Sequence, residues 1–341
     1  MSTVAIQPGA TIFVTGVNGL IGSYVADQLL IRGYNVRGAV RDVEKTKWLK
    51  EFFVEKYKIA KFDLVGVPDM TTEGCYDDHV KGIEGFVHVA APVGGILDID
   101  EALNLGRNAA LNALKACAKT PTVTRFVTTS SSFAASFPKT KLDHDFVLDE
   151  TTFHDTALEQ AKTAETPTSK GMLVYAAMKS ETEKEMWKWV KENKPSFVMN
   201  SVLPNANFGP LLVPKHQGLP STVAWIYSAF SGEGFHQLTS IVDPQWYISP
   251  LDDALLHVSA LIHSNVDGER IFGYAERWNW NQILEILRKA YPEKTFPMDV
   301  EGQSDDRVVP PTKRSQEVLK WVKGSGWTSL KESVVALSKQ W

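Results

Sequence analysis

The chain has 341 residues, of which 43% are hydrophobic and 22% charged, with a formal net charge of −4 and a pI of about 6.1. This composition is typical of a globular protein, and its charge gives no electrostatic reason to expect a nucleic acid or an anionic membrane as partner. A chain of this length exceeds one typical core, so we expect a large domain with a smaller one folded against it.

The N-terminal segment has no basic start followed by a long apolar core, and no apolar run approaches the roughly 20 residues that span a bilayer. The two cysteines, Cys75 and Cys117, have neither CxxC spacing nor the number needed for a disulfide framework. We therefore expect a cytoplasmic protein in a reducing compartment.

Short apolar runs alternate with helical patterns through the first 210 residues. The predicted strands are 11–16, 35–41, 59–65, 85–93, 124–131 and 196–210. The predicted helices between them are 20–33, 44–57, 100–118 and a lysine- and glutamate-rich helix that begins near 174 and ends near 192. Strand–helix alternation of this kind predicts an α/β fold, a Rossmann-type doubly wound parallel sheet covered by helices on both faces.

Beyond residue 205 the alternation loosens, and prolines and glycines interrupt the chain. We predict a dinucleotide-binding domain over 1–205, which can also receive later segments near 240–265, and a mainly substrate-binding region over 206–341. Helices are expected at 221–230, 252–264 (capped by Asp252) and 280–292, with a late strand at 269–275. Ser329 and Glu332 stand in capping-box register before the last helix.

The segment "VTGVNGLIG" (14–22) joins the first strand to the first helix and contains Gly16, Gly19 and Gly22. In such a loop the first glycine permits a tight turn, the second lets the backbone approach a diphosphate, and the third lets the helix pack close to the strand. The free N–H groups of the helix N-terminus then face the phosphates. The loop predicts a dinucleotide site, although its GxxGxxG spacing differs from GxGxxG.

The second strand ends in "GAVRD", which places Arg41 before Asp42, with Lys45 in the next turn. An arginine here suits the 2′-phosphate of NADP, whereas an acidic residue suits the ribose hydroxyl of NAD. The local positive charge favours NADP, and Asp42 leaves NAD open.

Tyr175 and Lys179 lie four residues apart, on one face of the helix that begins near 174. The fifth strand ends in "FVTTSSS", and ligands of an open α/β sheet bind beyond the carboxyl ends of its strands. The glycine loop, the serine run and the Tyr–Lys pair therefore occur in the order in which one fold would bring them together.

On "TGVNGLIG", "HVAAPV", "TTSSS" and "YAAMK", the chain resembles the extended short-chain dehydrogenase/reductase family over essentially its whole length. The stretches "GYNVRGAVRD", "KFDLV", "LPNANFGP" and "DPQWYISPLD" make it most similar to dihydroflavonol reductases and fungal aldehyde/carbonyl reductases. The resemblance implies an NADPH-dependent reductase that converts aldehydes or ketones into alcohols, acting as a monomer or homodimer on a small-molecule carbonyl substrate.

The resemblance also implies site residues. The catalytic residues would be Ser131 (rather than Ser130 or Ser132), Tyr175 and Lys179. The cofactor-binding residues would be Thr15, Gly16, Asn18, Gly19, Leu20, Ile21, Gly22, Arg41, Lys45, Asp63, Leu64, Ala90, Ala91, Pro92, Tyr175, Lys179 and Pro204. Candidate substrate contacts, on the loops after strands four to six and beyond, are Val93, Gly94, Phe133, Met172, Asn205, Trp225 and Gln245.

In this mechanism Ser131 donates a hydrogen bond to the carbonyl oxygen as hydride arrives from NADPH, and Tyr175 protonates that oxygen. A phenol is a weak acid, with a reference pKa of about 10. We expect the charges of Lys179 and of the oxidised cofactor to lower the pKa of Tyr175.

Alternatives remain open on the sequence. Asn112, in the helix before strand five, either anchors a water, bends the helix or serves helix packing, and no histidine spacing indicates a metal site. "MLVYAAMK" departs from the NWYCYGK of cinnamoyl-CoA reductases, and "SSSFAAS" lacks the acidic residue of nucleotide-sugar dehydratases. A nucleotide-sugar epimerase that retains NAD, and a non-catalytic dinucleotide sensor, are the competing interpretations.

Overall fold

Strands alternating with helices form the body of the molecule. A computed structural model describes residues 4–58, 61–92 and 95–341, without the side chains of 167–169. The strands are β1 (Thr11–Thr15), β2 (Asn35–Val40), β3 (Phe62–Gly66), β4 (Gly85–His88), β5 (Arg125–Thr129), β6 (Phe146–Val147), β7 (Val198–Pro204), β8 (Ala206–Asn207), β9 (Gln245–Ile248), β10 (Arg270–Gly273), β11 (Glu276–Trp278) and β12 (Val308–Val309). The helices are α1 (Leu20–Ile31), α2 (Val43–Lys56), α3 (Ile99–Ala118), α4 (Ala157–Thr163), α5 (Pro167–Asn193), α6 (Pro214–Gln217), α7 (Val223–Ser231), α8 (Phe235–Thr239), α9 (Pro250–Ile262), α10 (Trp280–Ala290), α11 (Thr312–Lys323) and α12 (Leu330–Ser338).

Seven strands pair in parallel in the order β3-β2-β1-β4-β5-β7-β10. The chain builds outward from β1 in one direction and then resumes at β4 in the other. The loops after β1 and β4 therefore diverge, and the crevice between them is where open α/β sheets bind ligands. This confirms the predicted doubly wound parallel sheet.

Alternate residues of β1 face opposite layers, as the two-residue repeat of a strand requires. Ile12 and Val14 belong to the core that α1 and α9 cover. Phe13 faces the other layer, where α3 and α5 pack together, and its ring stacks on Phe86 with centroids 4.9 Å apart. Both faces of the sheet are therefore buried, which fixes the positions of its strand ends.

The predicted strand 196–210 divides between two sheets. β7 lies in the parallel sheet, whereas β8 joins β9 and β11 in a small second sheet. α7, α10 and α12 pack beside this second sheet and share its apolar cluster. In contrast, α9 and β10 return to the large sheet although they lie beyond residue 205. The division at 205/206 stays a prediction.

Helix ends follow their capping residues. Ser329 and Glu332 form the predicted capping box. The cap of α9 differs from the predicted Asp252: Ser249 accepts a hydrogen bond from the Asp252 N–H at 3.0 Å, and Pro250 occupies the first turn. Among the described residues, no helix is both long enough and apolar enough to cross a membrane.

Candidate active site

A cleft of about 1800 Å³ runs along the carboxyl ends of the parallel strands and continues toward α7 and β9. Most of the residues predicted for the site line it together. They are Thr15, Gly16, Asn18, Gly19, Leu20, Ile21, Gly22, Arg41, Lys45, Ala90, Ala91, Pro92, Ser131, Phe133, Met172, Tyr175, Lys179, Pro204, Asn205, Trp225 and Gln245. Val93 and Gly94 lie outside the described residues.

The glycine loop forms one end of the cleft. Gly16 adopts a φ of 63°, in the left-handed region that glycine tolerates best. A Cβ atom at Gly22 would lie 2.2 Å from the carbonyl oxygen of Gly16, so a side chain at residue 22 would force the loop and α1 apart. The Gly19 cap of α1 supplies no side-chain hydrogen bond, which leaves the first N–H groups of the helix for an anion.

Thr15 and His88 connect the loops after β1 and β4. The Thr15 hydroxyl accepts hydrogen bonds from the N–H groups of Val89 and Ala90 at 3.0 Å and pairs with His88 Nδ1 at 3.1 Å. Burial, and then the nearby charge of Lys179, lower the pKa of His88 to about 3. A neutral imidazole therefore holds the two edges of the crevice in register.

The end of β2 presents positive charge to the cleft. Asp42 caps α2 by accepting a hydrogen bond from the Lys45 N–H at 3.1 Å, and its carboxylate lies 3.4 Å from Lys45 Nζ. The hydrogen bond from the backbone of Lys45 is the main cause that lowers the pKa of Asp42. Within the described part of the chain, the exposed Arg41 guanidinium has no hydrogen-bond or ion-pair partner. Arg41 is thus free to bind a phosphate, whereas Asp42 is engaged by its own helix.

Asp63 and Leu64, predicted beside the adenine, are set back from the cleft. They pair with Arg37 and Gly38 inside the sheet, before β3 ends at Gly66. Asp63 accepts a hydrogen bond from Lys50 at 2.8 Å on the outside of the sheet. The cleft is lined instead by residues 67–71, which follow the strand end. Both residues lie inside the predicted strand 59–65 and inside β3, before the strand end, so their contact with the adenine stays a prediction that the cleft lining does not support.

Ser131, Tyr175 and Lys179 meet where β5 ends. Ser131 begins a short 3₁₀ turn and its hydroxyl accepts a hydrogen bond from the Phe133 N–H at 3.2 Å. Tyr175, on α5, faces the Ser131 side chain, which acts to lower the pKa of the phenol. One turn further along α5, Lys179 Nζ donates to the Thr129 carbonyl oxygen at 3.1 Å.

Burial dominates the ionisation of this group. It raises the pKa of Tyr175, and the Ser131 side chain only partly opposes it. The expected lowering of the pKa of Tyr175 by Lys179 and the oxidised cofactor concerns the complex with cofactor, so it stays a prediction. Burial also lowers the pKa of Lys179 to about 8, against the raising effect of Glu183. Near neutral pH the site therefore contains a protonated phenol beside a charged ammonium.

Aromatic and polar side chains from distant segments form the other end of the cleft. Phe133 packs edge-on against Phe137 and Tyr175, with centroids 4.7 and 6.3 Å apart. His154 Nδ1 lies 3.1 Å from the Phe133 carbonyl oxygen, so that nitrogen carries a proton. Sequence reasoning missed Phe137 and His154, because the chain between β5 and α5 is mostly irregular and offers no periodic signal.

Two further differences concern polar residues near β4 and α3. The partnership of Thr15 with His88 could have been suspected only from their positions at two strand ends. Asn112 donates to the carbonyl oxygens of Met70 and Thr72 at 3.2 and 2.9 Å, which supports the packing alternative for this residue. No group of three or more metal-ligating side chains occurs among the residues that the structure describes.

Comparison with known proteins agrees with this geometry. The NAD dependent epimerase/dehydratase family matches residues 12–239. The chain is 38% identical over 335 residues to aldehyde reductase 2 of Sporidiobolus salmonicolor, covering 98% of this chain and 96% of the relative. It is 34% identical over 337 residues to a ketoreductase of Penicillium rubens, covering 96% of each chain.

Solved structures show the same fold. A reductase engineered to attenuate substrate inhibition in asymmetric catalysis is 26% identical, with a TM-score of 0.81 and coverage of 100% of this chain and 99% of that chain. The yeast methylglyoxal/isovaleraldehyde reductase, solved with NADPH, is 24% identical, with a TM-score of 0.80 and coverage of 97% of each chain. The chain therefore belongs to the NAD-dependent epimerase/dehydratase family, the extended short-chain dehydrogenases/reductases, and is an oxidoreductase of that family.

Proposed function

We propose that the chain is an NADPH-dependent reductase that converts aldehydes and ketones into alcohols with Ser131, Tyr175 and Lys179. The observation that carries this proposal is the convergence of those three side chains at the end of β5, in the same cleft that the glycine loop lines. The relatives named as aldehyde reductase and ketoreductase support the same reaction class.

The residues present suit a dinucleotide. A Cβ at Gly22 would occupy the space where α1 approaches the loop, and the N–H groups at the start of α1 carry no side-chain cap. Arg41 at the mouth of the cleft favours a cofactor with a 2′-phosphate, while the carboxylate of Asp42 is already held by Lys45. When bound, a reduced nicotinamide supplies the hydride.

The chain's own residues orient the carbonyl and deliver the proton. The Ser131 hydroxyl donates to the carbonyl oxygen and stabilises the negative charge that develops there. Tyr175, kept protonated by burial, transfers its phenolic proton to that oxygen. The ammonium of Lys179 stabilises the phenolate that remains, since opposite charges at short range favour the ionised form.

The test is oxidation of NADPH across a panel of aldehydes and ketones, with NADH in parallel. Tyr175→Phe removes only the phenolic oxygen, so it should lower carbonyl reduction at least about 100-fold while NADPH binding stays nearly intact. Tyr291→Phe is the matched control, because the hydroxyl of Tyr291 donates a hydrogen bond to Ser338 between α10 and α12. Near-normal turnover of Tyr175→Phe would remove Tyr175 from the chemistry.

The same assay distinguishes the competing interpretations. An epimerase that recycles a tightly held NAD would show no net consumption of added cofactor. A dinucleotide sensor would bind NADPH and turn over none of the carbonyl compounds. Either result would reject the reductase.

A further inference from the structure

Glu183 lies on α5, one turn beyond Lys179 and two turns beyond Tyr175, and its carboxylate is buried. Only 2% of its surface is exposed. Its Oε2 accepts a hydrogen bond from the Ser130 hydroxyl at 2.7 Å, and its Oε1 accepts one from the Ser201 hydroxyl at 2.6 Å. One side chain of α5 thereby contacts the carboxyl end of β5 and the middle of β7.

Arg270, on β10, balances the charge of Glu183. Its Nε and Nη2 donate to the two carboxylate oxygens at 2.8 and 3.1 Å, and its Nη1 donates to the carbonyl oxygens of Glu150 and Thr152 at 3.0 and 2.7 Å. Burial raises the pKa of Glu183, but the charge of Arg270 and the hydrogen bonds from Arg270, Ser201 and Ser130 lower it overall. Glu183 is therefore ionised, and its partners come from the sheet (Ser201 and Arg270), from the residue after β5 (Ser130) and from α5 itself, where Trp187 Nε1 donates to Oε1 at 3.2 Å.

These contacts act on Ser131 through Thr129 and Ser130, the two residues that precede it in the chain. Lys179 donates to the carbonyl oxygen of Thr129, and Glu183 holds the side chain of Ser130. Ser131 follows directly, so the peptide that leads into it is held by α5 at two successive turns. The same helix carries Tyr175, whose distance to Ser131 is thus set by one rigid element.

We propose that Glu183 is a positioning residue for carbonyl reduction, which fixes Ser130, and through it Ser131, against α5 and keeps Lys179 in its charged form. This inference rests on the function proposed above. Glu183 lines a small cavity next to Lys179 rather than the cleft itself, so it acts through its neighbours rather than on the substrate.

The charge around Lys179 comes from few groups. Tyr175 and Glu183 face it from α5, and neutral His88 faces it from β4. Near Lys179, α3 contributes Gly106, Ala109 and Ala110, which carry no charge, and Arg270 lies beyond Glu183. Burial lowers the pKa of Lys179 to about 8, and Glu183 is the neighbouring charge that raises it. Without that carboxylate, Lys179 would lose its proton at lower pH.

Two substitutions at Glu183 test its positioning role and its charge separately. Glu183→Gln keeps the shape and removes the charge, so kcat should fall about 10- to 100-fold, and the alkaline limb of the pH–rate profile should move to lower pH by about one unit. Glu183→Asp keeps the charge but shortens the reach to Ser130. It should lower kcat and leave the alkaline limb in place.

Two further variants complete the experiment. Glu181→Gln is the matched control, since Glu181 pairs with Lys184 on the outer side of the same helix. This variant should leave kcat and the alkaline limb of the pH–rate profile unchanged. If Glu183→Gln fails to fold because Arg270 is left unpaired, Glu183→Gln/Arg270→Gln removes both charges. The alkaline limb should then move in the same direction but less far, since loss of the Arg270 cation partly offsets loss of the nearer carboxylate.

The outcomes are distinguishable. An unshifted alkaline limb in Glu183→Gln, or in the double variant, would overturn the proposal even if kcat fell, because a merely structural role moves stability and rate but not the limb. Tyr175→Phe in the same assay isolates the underlying function. If that variant retains turnover, the catalytic assignment fails; if it is inactive and Glu183→Gln behaves as wild type, only the positioning role fails.

Discussion

The two ends of the cleft are built in different ways. At the cofactor end, the backbone of Gly16 and Val17 approaches α1 so closely that a single Cβ atom at Gly22 would overlap the loop. At the substrate end, side chains from separate segments meet, among them Phe133, Met172 and Trp225. The first arrangement fixes a shape that many related enzymes can share, whereas the second lets side-chain exchange change what is bound. Substitutions should therefore have sharply different consequences at the two ends.

The largest effect is expected for Gly22→Ala. The new Cβ would lie 2.2 Å from a backbone oxygen that cannot rotate away, so the loop or α1 must shift. We expect NADPH binding to be lost, and the free energy of unfolding to fall by about 2–3 kcal/mol. Urea unfolding and titration of NADPH fluorescence measure both. Gly326→Ala, where the added Cβ meets no atom within 4 Å, is the control. Binding of NADPH with wild-type affinity by Gly22→Ala would contradict the rigid cofactor end.

Arg41→Ala tests the contribution of a side chain, rather than of the backbone, at the cofactor end. A charge-assisted contact with a phosphate is worth about 1.5–3 kcal/mol, so the Kd for NADPH should rise about 10- to 100-fold while that for NADH changes little. Lys50→Ala removes a positive charge from nearby α2 but outside the cleft, and should affect neither cofactor. Equal losses for NADPH and NADH in Arg41→Ala would exclude Arg41 from recognition of the 2′-phosphate.

Trp225→Ala tests the substrate end. The indole lines the cleft and packs against Phe208 and Trp278, with ring centroids 6.3 and 6.4 Å apart. Its removal enlarges the cleft, so the ratio of kcat/KM for a bulky aryl ketone to that for a small aldehyde should rise about 10-fold, the scale of one to a few methylenes in a pocket. The Kd for NADPH should stay unchanged. Trp321→Ala, at an exposed ring that stacks on His263, is the control. A parallel loss for both substrates would place Trp225 in folding rather than in specificity.

The same contrast explains what the sequence could predict. The glycine loop is local: strand, turn and helix follow one another along the chain, so spacing alone places Gly16 and Gly22. The order of the serine run, Tyr175 and Lys179 along the chain was enough to predict that they share one site. In a parallel sheet the strand ends meet at one edge, and the structure brings the three residues together there. Their roles in catalysis stay a prediction.

Other features depend on pairs far apart in the chain. Glu183 meets Arg270 only after β10 joins the sheet, and Thr15 meets His88 only when β1 and β4 pair. Nothing in the local pattern of either partner signals these contacts. The rise in the pKa of Tyr175 on burial could not be predicted for a similar reason, because desolvation depends on everything packed around the phenol.

Asp63→Asn gives the smallest expected effect and tests the predicted contact of Asp63 with the cofactor. Asp63 and Lys50 form an exposed ion pair whose side chains retain 64% and 50% of their accessible surface, and such pairs contribute about 0–1 kcal/mol to stability. Since β3 stays paired with β2 as far as Gly66, the Asp63 carboxylate lies before the strand end and away from the cleft. The Kd for NADPH should therefore change less than about 2-fold, measured beside Arg41→Ala in the same titration. A loss comparable to that of Arg41→Ala would mean that Asp63 reaches the cofactor, and that the cofactor end extends further along β3 than the strand pairing indicates.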